Sequence, residues 1–159
     1  MDERHVNPVV SSVKYVFKAM LNIDIVEGAP SMNEARKSRG DITGVMALSG
    51  SEGSQKGMLA LSTSTEGALR IYQRLMHQEF TEVNEEIIDG MGELTNIISG
   101  RARYELEKEN IHLYAHVPIV FFGKSAEVDY ITKAAVVSVP FNFAIDGTEC
   151  LMNVDFVFE

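Results

Sequence analysis

Val9, Val13, Val16, Phe17 and Met20 recur at steps of three and four, which lines apolar side chains along one face of a helix. Asn7-Pro8 just ahead of this stripe predicts its start: Asn is a good N-cap, and Pro fits a first turn whose N–H groups lack partners. Gly28-Ala29-Pro30 breaks the chain beyond this helix. Asp41–Ser49 and Gln55–Ser62 are rich in small and β-branched residues. Gly50-Ser51-Glu52-Gly53-Ser54 between them has a turn composition, so the pair predicts a β-hairpin. Thr63-Ser64-Thr65-Glu66 has the form of a capping box, opening a second helix through Leu69, Tyr72 or Gln73 and Met76 to about His77. A third, longer helix opens after Asn84 and runs to about Leu106, with the stripe Ile87, Met91, Leu94, Ile98 and Ala102.

The last third changes period. Val117–Phe122, Ala134–Phe143 and Cys150–Phe158 read as strands, with Asp146-Gly147 as the turn between the last two. Met152, Val154, Phe156 and Phe158 point one way, while Asn153 and Asp155 point the other. Such alternation predicts a mostly antiparallel sheet with one face packed against long helices, an α+β fold. No linker, low-complexity run or repeat divides the chain, so residues 1–159 are expected to form a single domain.

Composition narrows the class of function. The chain has 159 residues, 45% hydrophobic and 23% charged, close to a globular average. Lys plus Arg is 14 against 23 Asp plus Glu, a net charge of −9. That surface repels phosphate backbones and anionic lipid, so neither nucleic acid nor a membrane is the expected partner. The partner should instead carry a positive patch or hold a cation. Cys150 is the only cysteine, which excludes an internal disulfide and suits a reducing compartment. The charged start MDERHVNPVV and the lack of a long apolar run point to a cytoplasmic protein.

Phosphate-loop, dinucleotide and nucleophile-elbow motifs are absent. His112 and His116 have a metal-like spacing but fall in loop or strand without a nearby third ligand, so no metal site is expected. Cys150 reads as a small buried strand residue. The third helix is the informative segment. At about 100° per residue, Glu85, Asp89, Gly92, Glu93, Asn96, Gly100 and Arg103 cluster opposite its apolar stripe. Glu93 and Asn96 are one turn apart and adjacent on that surface. Gly90, Gly92 and Gly100 each cost about 1 kcal/mol against Ala in a helix interior, so each needs a reason. Gly90, nearer the flank, suits packing on the protein's own sheet. Gly92 and Gly100 are expected on the outer surface, where a missing side chain lets another backbone approach. A second Glu-x-x-Asn, Glu107 to Asn110, reads as a solvated helix end.

The segment Gly92-Glu93-Leu94-Thr95-Asn96-Ile97-Ile98-Ser99-Gly100 resembles the signature of the CheC/CheX/FliY family of chemotaxis phosphatases. The likeness extends to Val6-Asn7-Pro8 entering a helix, to Gly57-Met58-Leu59-Ala60-Leu61 in the central hairpin, and to the strand-rich last third. The first helix carries no Glu-x-x-Asn, which favours the one-site CheX type over the two-site members. The resemblance implies a CheC-like fold and hydrolysis of the aspartyl phosphate on a phosphorylated CheY-type response regulator. It implies no cofactor of the chain's own, with a divalent cation (Mg) supplied by the partner, and a homodimer joined through sheet edges.

Within that reading Glu93 and Asn96 are the catalytic pair, and Asp89, Gly92, Gly100 and Arg103 contact the partner. Hydrolysis of an acyl phosphate needs mainly a water held in line with the leaving oxygen. A carboxamide suits that task, since it accepts and donates without titrating, so Asn96 is assigned to the water. A solvated carboxylate is a feeble base at neutral pH, so Glu93 is assigned to the partner's active-site Lys. The rival reading keeps the docking helix and drops the chemistry: an adaptor for a response regulator or the flagellar switch.

Overall fold

The computed structural model describes residues 2–51, 53, 55–123, 127 and 133–159. Helix α1 spans Glu3–Leu21, α2 Thr65–Met76 and α3 Glu85–Glu107. The strands are β1 (Val26–Glu27), β2 (Ser31–Met32), β3 (Ile42–Ser49), β4 (Lys56–Thr63), β5 (Tyr114–Ala115), β6 (Ile119–Phe122), β7 (Val137–Ile145) and β8 (Thr148–Phe158).

The expected hairpin is β3 and β4, paired from Ile42↔Thr63 to Ser49↔Lys56. Two residues of its predicted turn, Glu52 and Ser54, lie outside the described residues. β7 and β8 pair antiparallel down to Ile145↔Thr148, leaving Asp146 (φ 49°) and Gly147 (φ 80°) as a two-residue turn. Positive φ at both positions matches the twist of the flanking strands. Among the described residues the sheet runs β1-β7-β8-β4-β3-β5, with β2 also on β7 and β6 also on β3.

The helices start where short polar side chains meet unpaired N–H groups. Asn84 accepts from Ile87 N at 3.1 Å and opens α3 as expected. For α2 the cap is Ser64, which accepts from Gly67 N at 3.0 Å, while Glu66 pairs forward with Arg70 at 2.8 Å instead of reaching back. Helix α1 begins five residues before the expected Pro8 start. Asp2 is its cap, accepting from Arg4 N at 3.0 Å, and Pro8 lies inside the helix. The Pro8 carbonyl accepts the Ser12 hydroxyl at 2.5 Å, a side-chain bond in the turn that follows the proline.

α1 and α3 lie against one face of the sheet. Val9, Val13 and Phe17 of α1 and Ile87, Met91, Leu94, Ile98 and Ala102 of α3 join Met46, Leu59, Leu61, Phe141, Val154 and Phe156 in the main core. Each of the larger side chains contributes about 1.5–3 kcal/mol by leaving water.

The opposite sheet face, away from the helices, is packed as well. Val45, Met58, Ala60, Val136 and Val157 form a second buried cluster there, with Phe121 and Ala134 against it. Asn153 and Asp155 face that side yet are 4% and 2% exposed. The Asn33 amide donates to Asp155 Oδ2 and to the Lys37 carbonyl, both at 3.1 Å, and so ties the 33–37 segment onto β8. Burial pushes the Asp155 carboxyl above its ordinary range, with the hydrogen bond from Asn33 pulling the other way. The folded protein therefore holds that proton more tightly than the unfolded chain. This contribution to stability falls as pH rises from the ordinary carboxylate range through the folded-state pKa, then stays flat. Asp155→Asn keeps an acceptor for Asn33 and removes the buried charge. It is expected to raise the urea midpoint at pH 7 and flatten this fall. A lower midpoint would show that the carboxylate stabilises the fold.

Candidate functional site

The buried stripe of α3 fixes what the helix shows to solvent. Asp89, Glu93 and Asn96 line one ridge, and Glu93 and Asn96, both exposed, follow at i and i+3. Their Cβ atoms are therefore neighbours, about 5–6 Å apart. Among the described residues, neither side chain is committed to a hydrogen bond or ion pair. An exposed carboxylate and an exposed amide, both unengaged, can enter a pocket supplied by another molecule.

The layer beneath them is rigid. Thr95, between the two, is fully buried, and its hydroxyl donates to the Met91 carbonyl at 2.6 Å. Gly44 of β3 sits directly below. A Cβ there would clash with the Thr95 hydroxyl and lie 3.3 Å from the Met91 carbonyl oxygen. The absent side chain is what lets α3 settle on β3 at this level, which fixes the height of the ridge.

The three helix glycines separate. At Gly90 a Cβ would fall within the Tyr72 ring, so this glycine packs on the protein itself, though on α2 and not on the sheet. Gly100 faces open space, with nothing within 4 Å of an added Cβ. Gly92 is not on the open surface: it is buried and faces β6, where an added Cβ would meet Val120 Cγ2 at 3.4 Å. Arg103 also leaves the ridge. Its side chain is half-buried and reaches the Leu113 carbonyl at 3.4 Å, bracing the connection between α3 and β5. Both departures have one cause: β5 and β6 cover the flank of α3 that a lone helix would leave open.

Between that flank and β6 runs a groove of about 440 Å³, lined by Ile88, Asp89, Gly92, Glu93, Pro118 and Val120. Ile88, Pro118 and Val120 carried no functional signal in the sequence, because only the long-range pairing of β6 with β3 brings them together beside the α3 ridge. The carboxylates of α3 also act on its other flank, against α2. Burial raises the Tyr72 hydroxyl pKa, and the negative charges of Asp89, Glu86 and Glu93 add to the rise.

On the α1 side of the ridge, the Arg101 guanidinium lies 3.8 Å from the centre of the Tyr15 ring and pairs with Glu105 at 2.7 Å. It is engaged within the fold. The second Glu-x-x-Asn ends at Asn110, which has left the helix with φ 61°. His116 Nε2 lies 3.0 Å from the Ser49 hydroxyl. Among the described residues no three His, Cys, Asp or Glu side chains gather as a metal site, and no helix is long and apolar enough to cross a membrane.

The family model for chemotaxis phosphatase CheX matches residues 40–142, which include the hairpin and all of α3. A Thermotoga maritima protein named CheY-P phosphatase CheX is 27% identical over 129 residues, covering 80% of this chain and 81% of that protein. The crystal structure of chemotaxis protein CheX from Vibrio vulnificus superposes with a TM-score of 0.81 at 24% identity, over 96% of this chain and 99% of that one. A chain of the CheX–CheY–BeF3–Mg complex from Borrelia burgdorferi superposes with a TM-score of 0.76 at 18% identity, over 98% and 97%. These structural likenesses concern the fold, an antiparallel sheet with its helices, as the strand and helix patterns anticipated.

Proposed function

Because the chain belongs to the chemotaxis phosphatase CheX family, we propose that it hydrolyses the aspartyl phosphate of a phosphorylated CheY-type response regulator. The observation that carries this reading is the exposed, uncommitted pair Glu93 and Asn96 on a braced helix. The name of the Thermotoga maritima relative, CheY-P phosphatase, supports the same substrate.

The chemistry asks little of this chain. Water attacks phosphorus, the bond from phosphorus to the aspartyl oxygen breaks, and the products are carboxylate, inorganic phosphate and a proton. Asn96 accepts from the attacking water through its carbonyl oxygen and holds it in line with the leaving oxygen. Glu93 pairs with the response regulator's active-site Lys, which sets the register of docking and places Asn96. The divalent cation (Mg) belongs to the response regulator's pocket, in keeping with the Mg of the Borrelia burgdorferi CheX–CheY–BeF3–Mg complex. Asp89 and Gly100 lie on the same ridge and complete the contact, with Gly92 serving from below.

Two copies joining through sheet edges fits the exposure of Ile119 (66%) and Phe122 (58%) on β6. A cytoplasmic location follows from the substrate.

The deciding experiment measures phosphate release from a phosphorylated response regulator with substoichiometric protein. Multiple turnovers are expected; an adaptor would only protect or sequester the fraction it binds, leaving the rest to decay at its own rate. Glu93→Ala is expected to lower both affinity and rate, by about tenfold in affinity if the charged pair is desolvated on docking. Affinity read by titration with the beryllofluoride-loaded regulator checks it, and an unchanged value removes the anchoring role.

A further inference from the structure

The groove beside Glu93 has a chemistry that the catalytic pair leaves unused. Its floor is apolar, made by Ile88, Pro118 and Val120, and its rim holds the carboxylates of Asp89 and Glu93. Gly92 keeps it open, since any side chain there would grow toward Val120. Asp89, like Glu93, has no ion-pair partner among the described residues. A trough that is greasy below and anionic above fits a side chain with the reverse design. Lys and Arg have it: a methylene stem that buries on apolar surface and a cationic head that stays at the rim.

We propose that this groove receives a second basic side chain, Lys or Arg, from the response regulator's surface next to its phosphorylation pocket, with Asp89 as the carboxylate that meets the head group. The inference rests on the phosphatase reading for its choice of partner. Two observations favour that partner. The groove is continuous with the ridge, because Glu93 belongs to both. The charge is complementary, because the charged groups on the rim are the carboxylates of Asp89 and Glu93, which have no ion-pair partner among the described residues.

The cation at Asp89 is distinct from the Lys that meets Glu93. The phosphoryl group must lie within reach of Asn96. Along α3, Glu93 is three residues from Asn96 and Asp89 is seven, roughly 4.5 Å and 10 Å of axial rise. An ammonium touching phosphoryl oxygen can also contact Glu93, but a head group held by Asp89 is out of that range. The Asp89 contact therefore contributes affinity and choice of partner, and takes no part in the chemical step.

The test is equilibrium titration of the beryllofluoride-loaded response regulator against three proteins: wild type, Asp89→Asn and Val120→Trp. Asp89→Asn changes a group at the rim and leaves the fold alone. It is expected to weaken binding about three- to fivefold at low salt, as for a partly exposed ion pair, with the loss shrinking at high salt. Val120→Trp fills the trough and is expected to weaken binding about tenfold or more, with circular dichroism confirming the fold. On the regulator, surface Lys and Arg residues around the phosphorylation site are changed singly to Met, which keeps a stem and drops the charge. One of them is expected to weaken binding to wild type but not to Asp89→Asn.

The inference is overturned if Asp89→Asn binds as wild type does at low salt, or if no regulator substitution couples to it. It is also overturned if Val120→Trp changes only the sedimentation of the protein, since the groove would then serve contact between copies. Its failure is separate from that of the phosphatase reading. Silent groove variants beside an inactive Asn96→Ala remove the groove alone. Wild type that binds the regulator without speeding phosphate release removes the catalytic reading and leaves the groove supported by its own titration.

Discussion

Asn96→Ala protein is expected to release phosphate from a phosphorylated response regulator at about one-hundredth of the wild-type rate or slower, a factor typical of losing a positioned reactant. Its affinity for the beryllofluoride-loaded regulator should stay within about threefold of wild type. The separation is expected because the Asn96 amide is exposed and holds nothing in its own fold. Removing it leaves the urea midpoint unchanged, so lost turnover cannot be blamed on lost structure. Asn96→Asp sharpens the result: it has nearly the same shape and can accept from water, but it loses the N–H donor and adds a charge facing phosphoryl oxygens. It should be equally inactive. An Asn96→Ala protein with the wild-type rate would remove the water-positioning role.

The largest effect on stability is expected at Gly44, on β3 beneath Thr95. Gly44→Val would drive its side chain into the Thr95 hydroxyl and toward the Met91 carbonyl oxygen. The helix backbone cannot yield without lifting α3 from β3, so the cost is about 3 kcal/mol, the upper part of the range for overpacking. Urea unfolding measures it directly. The double change Gly44→Ala with Thr95→Ala locates the cause. Removing the Thr95 hydroxyl deletes the nearest obstacle and leaves the Thr95 Cβ at 3.1 Å. The two changes should therefore couple by about 1 kcal/mol or more, as contacting sites do. Additive costs would mean that the close approach of α3 to β3 is not what Gly44 provides.

Helix α3 is legible in the sequence from one end to the other. Asn84 announces its start, and the spacing of Ile87, Met91, Leu94, Ile98 and Ala102 sets which side faces the core. Because the stripe leaves only one direction for solvent, the exposure of Glu93 and Asn96 follows from the same arithmetic. The start of α1 is harder to read, because Pro8 suits a first turn so well that an interior position looks excluded; Asp2 offers an equally good cap further upstream. Asn153 and Asp155 show the limit of alternation. A polar residue every second position states which face it takes, but not whether water or a folded-back segment covers that face. Here the cover comes from Asn33, 122 residues from Asp155 along the chain. The groove is hidden for a similar reason: four of its lining residues are on α3, but its far wall is at β6, and no local pattern reports that meeting. Placing Gly92 and Arg103 on the outer surface rests on the same assumption, that α3 has a bare flank.

β6 has two sides with different duties. Val120 walls the groove, while its immediate neighbour Ile119 projects to solvent from the opposite face. With only four residues, the strand cannot move one side without the other. Anything that adds to its outer margin, another copy of the chain included, and shifts it relative to α3 must alter how tightly the response regulator is held. Thermodynamic reciprocity makes the regulator alter that addition by the same factor. Self-association and signal termination would then be one coupled equilibrium, tunable by protein concentration.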